Sequence, residues 1–451
     1  MPYRTALAIL GCFVVLQLLP QAPGLRKFPT LGRATLDELV DLAPKRPAVV
    51  TEEQPGAVPE TPRAGQAVFP IEDPGRGLDS FYAALRETEL RRPDAVTAIL
   101  HYGDSPTTAD LITADVRDLL QKQFGDAGHG FCLIAKPWGW YQHRGVDISG
   151  SGWTIDPATQ SSVRDGRFGL GGVSFRGDEG AASRLTLRTG GHTSLEVSYL
   201  HQPGGGVIDV LFDGAPAHEI PTGADSPSAG FTRLELPPRA RRIELRVRQG
   251  PARLFGAYLG KPGAGVVYSS LGLNGAYVSV LARFFQEKHW SEQLRRYRPR
   301  LVIVNYGTNE SVSQAFVDYV YEKEMKEIVR RLRAALPEAS ILVMSPMDRG
   351  QRGEDGEIRT VAVLPALVGR QRRVAIETGC AFFNTFQAMG GEGTMGRWFQ
   401  ARPRLVGSDY MHPMPGGARR VGSLLYQALL DGYNRYKLRR MQEEISNRGE
   451  R

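Results

Sequence analysis

The spacing of apolar residues changes character several times along the chain. Behind Arg4 lies an apolar run, residues 5–19, followed by Pro20, Pro23, Arg26 and Lys27. A basic start and a run of this length have the form of an export signal or a short membrane anchor. Residues 1–30 therefore predict an exported protein, in the periplasm or cell envelope, with cleavage and membrane attachment through the N-terminus both open. Ile9-Leu10-Gly11-Cys12 faintly has a lipoprotein form, but the apolar run continues past Cys12. Residues 31–76 read as a linker, with prolines at 44, 47, 55, 59, 62, 70 and 74. Helical spacing begins at Leu78, Phe81 and Leu85, and Pro93 ends it. Ala95–His101 is an apolar, β-branched run and predicts a buried strand. Thr107–Phe124 predicts a helix.

After about Gly145 the pattern shortens to alternating runs: 184–188, 194–200, 207–212, 231–236 and 242–248. Turn signals such as Gly204-Gly205-Gly206, Asp213-Gly214 and Pro237-Pro238 separate them. That pattern predicts an all-β sandwich. From Val266 strands and helices alternate again: helix 276–285, strand 301–305, helix 314–335, strand 341–345, helix 361–378, strand 381–384, and a last helix from Gly416 to Arg440. Such alternation predicts a largely parallel sheet with helices on both faces. The chain thus reads as an α/β domain (77–149 and 266–436) interrupted by a β-sandwich (150–265), with a basic tail at 437–451.

Composition narrows the function. With 451 residues, 41% hydrophobic and 23% charged, the chain is neither a polytopic membrane protein nor wholly disordered. Its net charge of +8 favours anionic partners. No zinc-finger or RNA-recognition signature accompanies the charge, so nucleic acid is not expected. The three cysteines, Cys12, Cys132 and Cys380, form no Cys-x-x-Cys pair, and no ligand cluster predicts a metal or cofactor. Pairing of Cys132 with Cys380 stays open.

Three short motifs lie at strand ends or in loops. Gly103-Asp104-Ser105 follows the first strand, where open parallel sheets carry their sites. Tyr306-Gly307-Thr308-Asn309-Glu310 follows Leu301–Asn305, and a strand-end amide can donate to an oxyanion. Asp409-Tyr410-Met411-His412 precedes the last helix; a carboxylate three residues before an imidazole can orient it as a base for Ser105. Each triplet alone is also an ordinary turn. Asp126-Ala127-Gly128-His129 shares the Asp-x-x-His spacing, but its Gly-rich loop reads as structural or as part of the substrate rim.

Taken in order, these motifs resemble those of the SGNH (GDSL-type) hydrolases, over about residues 95–145 and 266–435. The resemblance implies Ser105 as nucleophile, His412 as base and Asp409 as its partner, without a cofactor. It implies an oxyanion hole from the N–H of Ser105, the N–H of Gly275, with Gly272 the second candidate, and the Asn309 amide. LHYGDS, SSLGLNGA, FQAMGGEGTMGRW and DYMHPMPGGARRVG look like the exported peptidoglycan O-acetylesterases, which also carry an inserted carbohydrate-binding-module-like β domain. That likeness implies an O-acetylated polysaccharide substrate. Pro106 stands where these relatives usually have His, and Thr385-Phe386-Gln387 replaces an aspartate–tryptophan pattern. Competing readings are an esterase or lipase for other acyl chains, an acetyltransferase, and a non-catalytic envelope-binding protein. The β insert, about residues 150–262, is expected to engage polymer; replacing it with a short Gly/Ser linker should spare small-ester turnover, if the α/β domain still folds, and reduce activity on polymeric substrate. Trp138, Trp140 and Tyr141 fit either sugar stacking or packing between domains. Met389, Trp398 and Phe399 read as core that could line a pocket.

Overall fold

Five short strands with alternating apolar faces build the frame. In the computed structural model, which describes residues 68–160 and 164–449, they lie parallel in the order Gly265–Gly272, Val96–Gly103, Leu301–Asn305, Ser340–Met344, Ala381–Phe383. Successive side chains point to opposite faces, so each strand feeds two cores. Ile99, Leu301, Ile303, Leu342 and Phe383 face one, and Leu100, Tyr102, Val302, Val304 and Val343 face the other. The first face is covered by helices Asp79–Glu89, Leu111–Phe124 and Pro415–Gly449, and the second by Glu287–Tyr297, Tyr321–Ala335 and Leu364–Glu377. The predicted parallel sheet with helices on both faces is therefore present.

The intervening strands join in one nine-stranded sheet. All its pairings are antiparallel. Its long strand Val173–Leu187 changes partners along its length. Phe175–Gly177 pair with Ala252–Leu254, and Ala182–Thr186 pair with Arg242–Arg246. Gly130–Cys132, ahead of the predicted insert, also joins this sheet beside Ala257–Leu259. The sheet is not apart from the α/β frame. Leu170, Phe175, Leu254 and Ala257 share one buried cluster with Phe131, Leu273, Trp290 and Leu294.

Several expectations need correction. The Glu287–Tyr297 helix is an addition to the expected elements: Trp290, Leu294 and Tyr297 are buried at helical spacing, and polar His289, Ser291 and Gln293 are buried beside them. The predicted helix 276–285 is a single π-turn, Val280–Phe284. The helix predicted from Thr107 is two, Ser105–Thr108 and Leu111–Phe124, with Asp110 in a left-handed conformation between them. The helix predicted over 314–335 breaks at Val320. The last helix continues beyond Arg440 to Gly449, so most of the expected tail is helical. The end of the expected linker is fastened down: Glu72 and Phe382 exchange two backbone hydrogen bonds, and Phe69 and Ile71 pack on the core. Residues 1–67, with the expected export segment and most of the linker, lie outside the described residues. Among those described, no helix is long and apolar enough to cross a membrane. Cys132 and Cys380 are both buried and unpaired.

Candidate active site

Ser105 begins a short helix directly at the carboxyl end of Val96–Gly103. Pro106 sits in the first helical turn, where its missing N–H costs nothing. The turn folds back on two paired glycines, Gly103 and Gly272. A Cβ at Gly103 would lie 2.2 Å from Thr107 Oγ1, and one at Gly272 2.4 Å from the Thr108 nitrogen. Gly272 thus serves close packing under the serine. Gly275, with φ of +70° and open space around it, is the exposed glycine of the next loop. It does not open a helix as expected; it sits in a turn that Leu273 fastens by donating to the Gly103 carbonyl at 3.0 Å.

His412 and Asp409 share one tight turn, Gly407–His412, closed by the Gly407 N–H donating to the His412 carbonyl at 2.9 Å. Asp409 Oδ1 accepts the backbone N–H groups of Met411 and His412, each at 3.1 Å. Its Oδ2 lies 2.6 Å from His412 Nδ1, and His412 Nε2 lies 2.7 Å from Ser105 Oγ. A carboxylate can only accept, so Nδ1 carries the proton and Nε2 is left to accept from Ser105. Burial pulls the Asp409 carboxyl up, but the His412 and Met411 donors outweigh it and hold the group below its usual range. Ser105 and a turn about 300 residues later are thereby joined in one hydrogen-bonded line.

Asn309 Nδ2 donates to the Ala276 carbonyl at 2.7 Å, and Glu310 Oε1 accepts from the Val278 N–H at 2.9 Å. Two successive side chains therefore clamp the Gly275 loop. Among the described residues no protein group accepts from the N–H of Ser105 or Gly275. Glu310 is fully buried, and desolvation pushes its carboxyl up to about 8. Asp104 Oδ2 accepts from the Thr308 N–H at 3.1 Å, tying the serine turn to the Asn309 loop; burial pushes its carboxyl up to about 6.

His129 is elsewhere. Its ring stacks on His192, with centroids 4.8 Å apart, and meets His143 edge-on at 5.3 Å. Asp126 instead binds the Gly128 N–H and Lys261. Tyr141 is a packing residue whose hydroxyl accepts from the Leu133 N–H at 3.0 Å, while Trp140 is exposed. Met389 and Trp398 are core, and Phe399 meets Tyr410 of the histidine turn. Sequence reasoning passed over four further groups: Asp104, Asp110, Glu310 and Arg349. Arg349 sits just beyond Ser340–Met344, so the strand-end rule that found Ser105 also points to it. Among the described residues no cluster of side chains is arranged to hold a metal.

With this geometry in place, comparisons with known proteins agree on its class. The chain resembles the SGNH hydrolases: residues 225–420 match the sequence model of the GDSL-like Lipase/Acylhydrolase family. That match begins within the nine-stranded sheet and leaves Ser105 outside it. Among solved structures the chain is similar to a peptidoglycan O-acetylesterase, at 24% identity and a TM-score of 0.68, over 81% of this chain and 99% of that one. The two share a fold. A family two carbohydrate esterase from Clostridium thermocellum, in complex with cellohexaose, aligns at 13% identity and a TM-score of 0.28, over 62% of this chain and 100% of the other. That likeness is too slight to argue from. No curated protein matches the chain.

Proposed function

We propose that this protein is a serine esterase that removes O-acetyl groups from a cell-envelope polysaccharide, peptidoglycan foremost, after export from the cytoplasm. The observation that carries the reading is the line Asp409–His412–Ser105, at 2.6 and 2.7 Å, beside unpartnered N–H groups. The acylhydrolase match supports an esterase, and the fold shared with a peptidoglycan O-acetylesterase supports an acetylated glycan.

In this reading Ser105 Oγ attacks the ester carbonyl while His412 Nε2 takes its proton. Asp409 keeps the imidazole oriented and stabilises its charged form. The oxyanion is received by the N–H groups of Ser105 and Gly275 and by Asn309 Nδ2. His412 then protonates the leaving sugar oxygen. A water repeats the attack on the acetyl-enzyme, His412 takes its proton, and acetate leaves as Ser105 is restored. We read the nine strands as a folded, jelly-roll-like sandwich that holds the polymer beside this site.

The test is acetate release by the full chain from O-acetylated peptidoglycan and from acetylated xylan, with a small acetyl ester as the reference. Hydrolysis of the small ester that Ser105→Ala abolishes, and faster release from peptidoglycan than from xylan, is expected. Undiminished turnover by a folded Ser105→Ala protein would overturn the nucleophile. Preference for xylan would overturn the polymer.

A further inference from the structure

Arg349 is a half-buried cation with unused hydrogen-bonding capacity, bonded to the Thr308 loop and within electrostatic reach of Asp104 and Asp409, which respectively flank Ser105 and orient His412. A guanidinium carries five N–H donors. Among the described residues, Arg349 uses one, donating from Nη1 to the Thr308 carbonyl at 2.6 Å. Asp104 and Asp409 act on it electrostatically, yet neither forms an ion pair with it. Partial burial outweighs the pull of the two carboxylates, so its pKa falls, and its charge has no ion-pair partner among the described residues.

The backbone around it is fixed. Asp348 accepts from Thr360 Oγ1 at 2.7 Å and from the Met395 N–H at 2.8 Å. The Arg349 carbonyl accepts from Val361 at 2.9 Å, and the Gly350 N–H donates to the Tyr410 carbonyl at 2.9 Å. Arg349 is thereby locked against the very turn that presents His412.

Two more arginines extend this rim. Arg352 donates from Nε to the Tyr410 hydroxyl at 3.0 Å and lies over that ring. Arg404 lies 4.3 Å over Phe399, and Phe399 packs edge-on to Tyr410 with centroids 4.9 Å apart. Like Arg349, both lack an acidic partner among the described residues. Arg359, on the same hairpin, is paired with Asp355 and does not belong to the set. Aromatic contacts hold the two outer guanidiniums in place while leaving their charge unspent.

We propose that Arg349, with Arg352 and Arg404 on the rim, forms an anion subsite that binds a carboxylate carried by the glycan next to the acetylated sugar. This deepens the esterase reading and rests on it for the identity of the glycan. A planar carboxylate matches the fork of a guanidinium and compensates a charge that the protein leaves unpaired.

Binding is measured by calorimetry on the full-length Ser105→Ala chain, so that it is read apart from turnover. The probes are N-acetylmuramic acid, whose lactyl carboxylate is carried by the sugar itself, the same compound as its carboxamide, and a glycerol phosphate oligomer. The carboxylate form should bind on the order of 10-fold tighter than the carboxamide, the scale of one charge-assisted contact. Added Arg349→Gln should erase that preference. Arg352→Gln alters only an exposed side chain, should reduce the preference by about 2–3-fold as a rim charge does, and serves if the first variant does not fold. Equal binding of the two forms, binding of neither, a preference surviving in folded Arg349→Gln, or tighter binding of the phosphate oligomer would overturn the proposal. Failure of the wild-type chain to cleave any acetyl ester would instead strike the esterase reading, a separate measurement.

Discussion

Asn309 commits one amide N–H to the Ala276 carbonyl and so shapes the Gly275 loop; in the proposed mechanism the second N–H serves the oxyanion. In the proposed mechanism Asn309→Ala should lower kcat about 10²–10³-fold, as measured on a small acetyl ester; a wild-type kcat would return it to a structural turn. Asp110 makes a different prediction. Its carboxylate takes both Nη atoms of Arg117, at 3.1 and 2.8 Å, and the Arg144 N–H at 2.8 Å, with both charged side chains fully buried. Removing one partner of such a pair leaves the other charge stranded, so Asp110→Asn should cost about 3–5 kcal/mol in chemical denaturation. Ser105, Asp409 and His412 were legible because each sits in a local turn with a chemical signature. Asp110 and Arg349 were not, since their meaning lies in partners from other loops: Arg144 for one, Thr308 and Tyr410 for the other.

Three loops meet at the histidine cluster. His129 follows the Leu111–Phe124 helix, His143 lies before Val146–Pro157, and His192 lies between two antiparallel strands. Gly145 makes room, for a Cβ there would lie 2.3 Å from the His129 ring. Burial and neighbouring cations, among them Arg117 and Lys261, push the His129 imidazole down to about 2, and burial pushes His143 and His192 down to about 4, against the pull of Asp110 and Asp126. A depressed group stabilises the fold above its unfolded pKa, near 6.5, and loses that contribution as pH falls toward the folded value. The melting temperature should therefore drop between about pH 6.5 and 4. His192→Phe, which keeps a ring against His129, should flatten that slope; an unchanged slope would remove the cluster as its cause. The loops themselves could be placed from glycine and turn residues. Their convergence could not, because it depends on how the antiparallel sheet docks.

The expectation of a detachable β module changes once the joint is seen. Helix Glu287–Tyr297 is built into both halves. Gln293 donates to the Phe168 carbonyl at 2.7 Å, Arg296 pairs with Glu196, His289 meets the Phe255 ring at 5.1 Å, and Tyr297 stacks on Tyr258 at 4.9 Å. Replacing residues 150–262 by a Gly/Ser linker would expose Phe131, which packs on Gly256, and Leu273, which packs on Gly172, each worth about 1.5–3 kcal/mol of burial. That protein should fail to show a cooperative melt by circular dichroism and should lose small-ester turnover as well. A folded, active product would restore the separable reading. The alternating runs announced the sheet, and the α/β rhythm announced the frame. The shared core was not legible because the helix that makes it, although it carries Trp290, Leu294 and Tyr297 at helical spacing, also buries polar His289, Ser291 and Gln293 against the antiparallel sheet, and periodicity does not say which layer a helix packs on.

The first parallel strand has a further consequence for how the protein is made. Among the described residues Val96–Gly103 pairs only with Gly265–Gly272 and Leu301–Asn305; His101 and its hydrogen-bonded partner Tyr268 are 167 residues apart. At about 5–20 residues per second, roughly 10–30 s of synthesis pass before either neighbouring strand exists. During that interval the nascent chain holds Thr97, Ala98, Ile99 and Leu100 with no strand to zip against. The Ser105 turn, propped on Gly272, cannot form either. The Ser105 turn and the Gly275 loop are therefore assembled late and together, so no ribosome-bound fragment ending before Gly272 carries the candidate site.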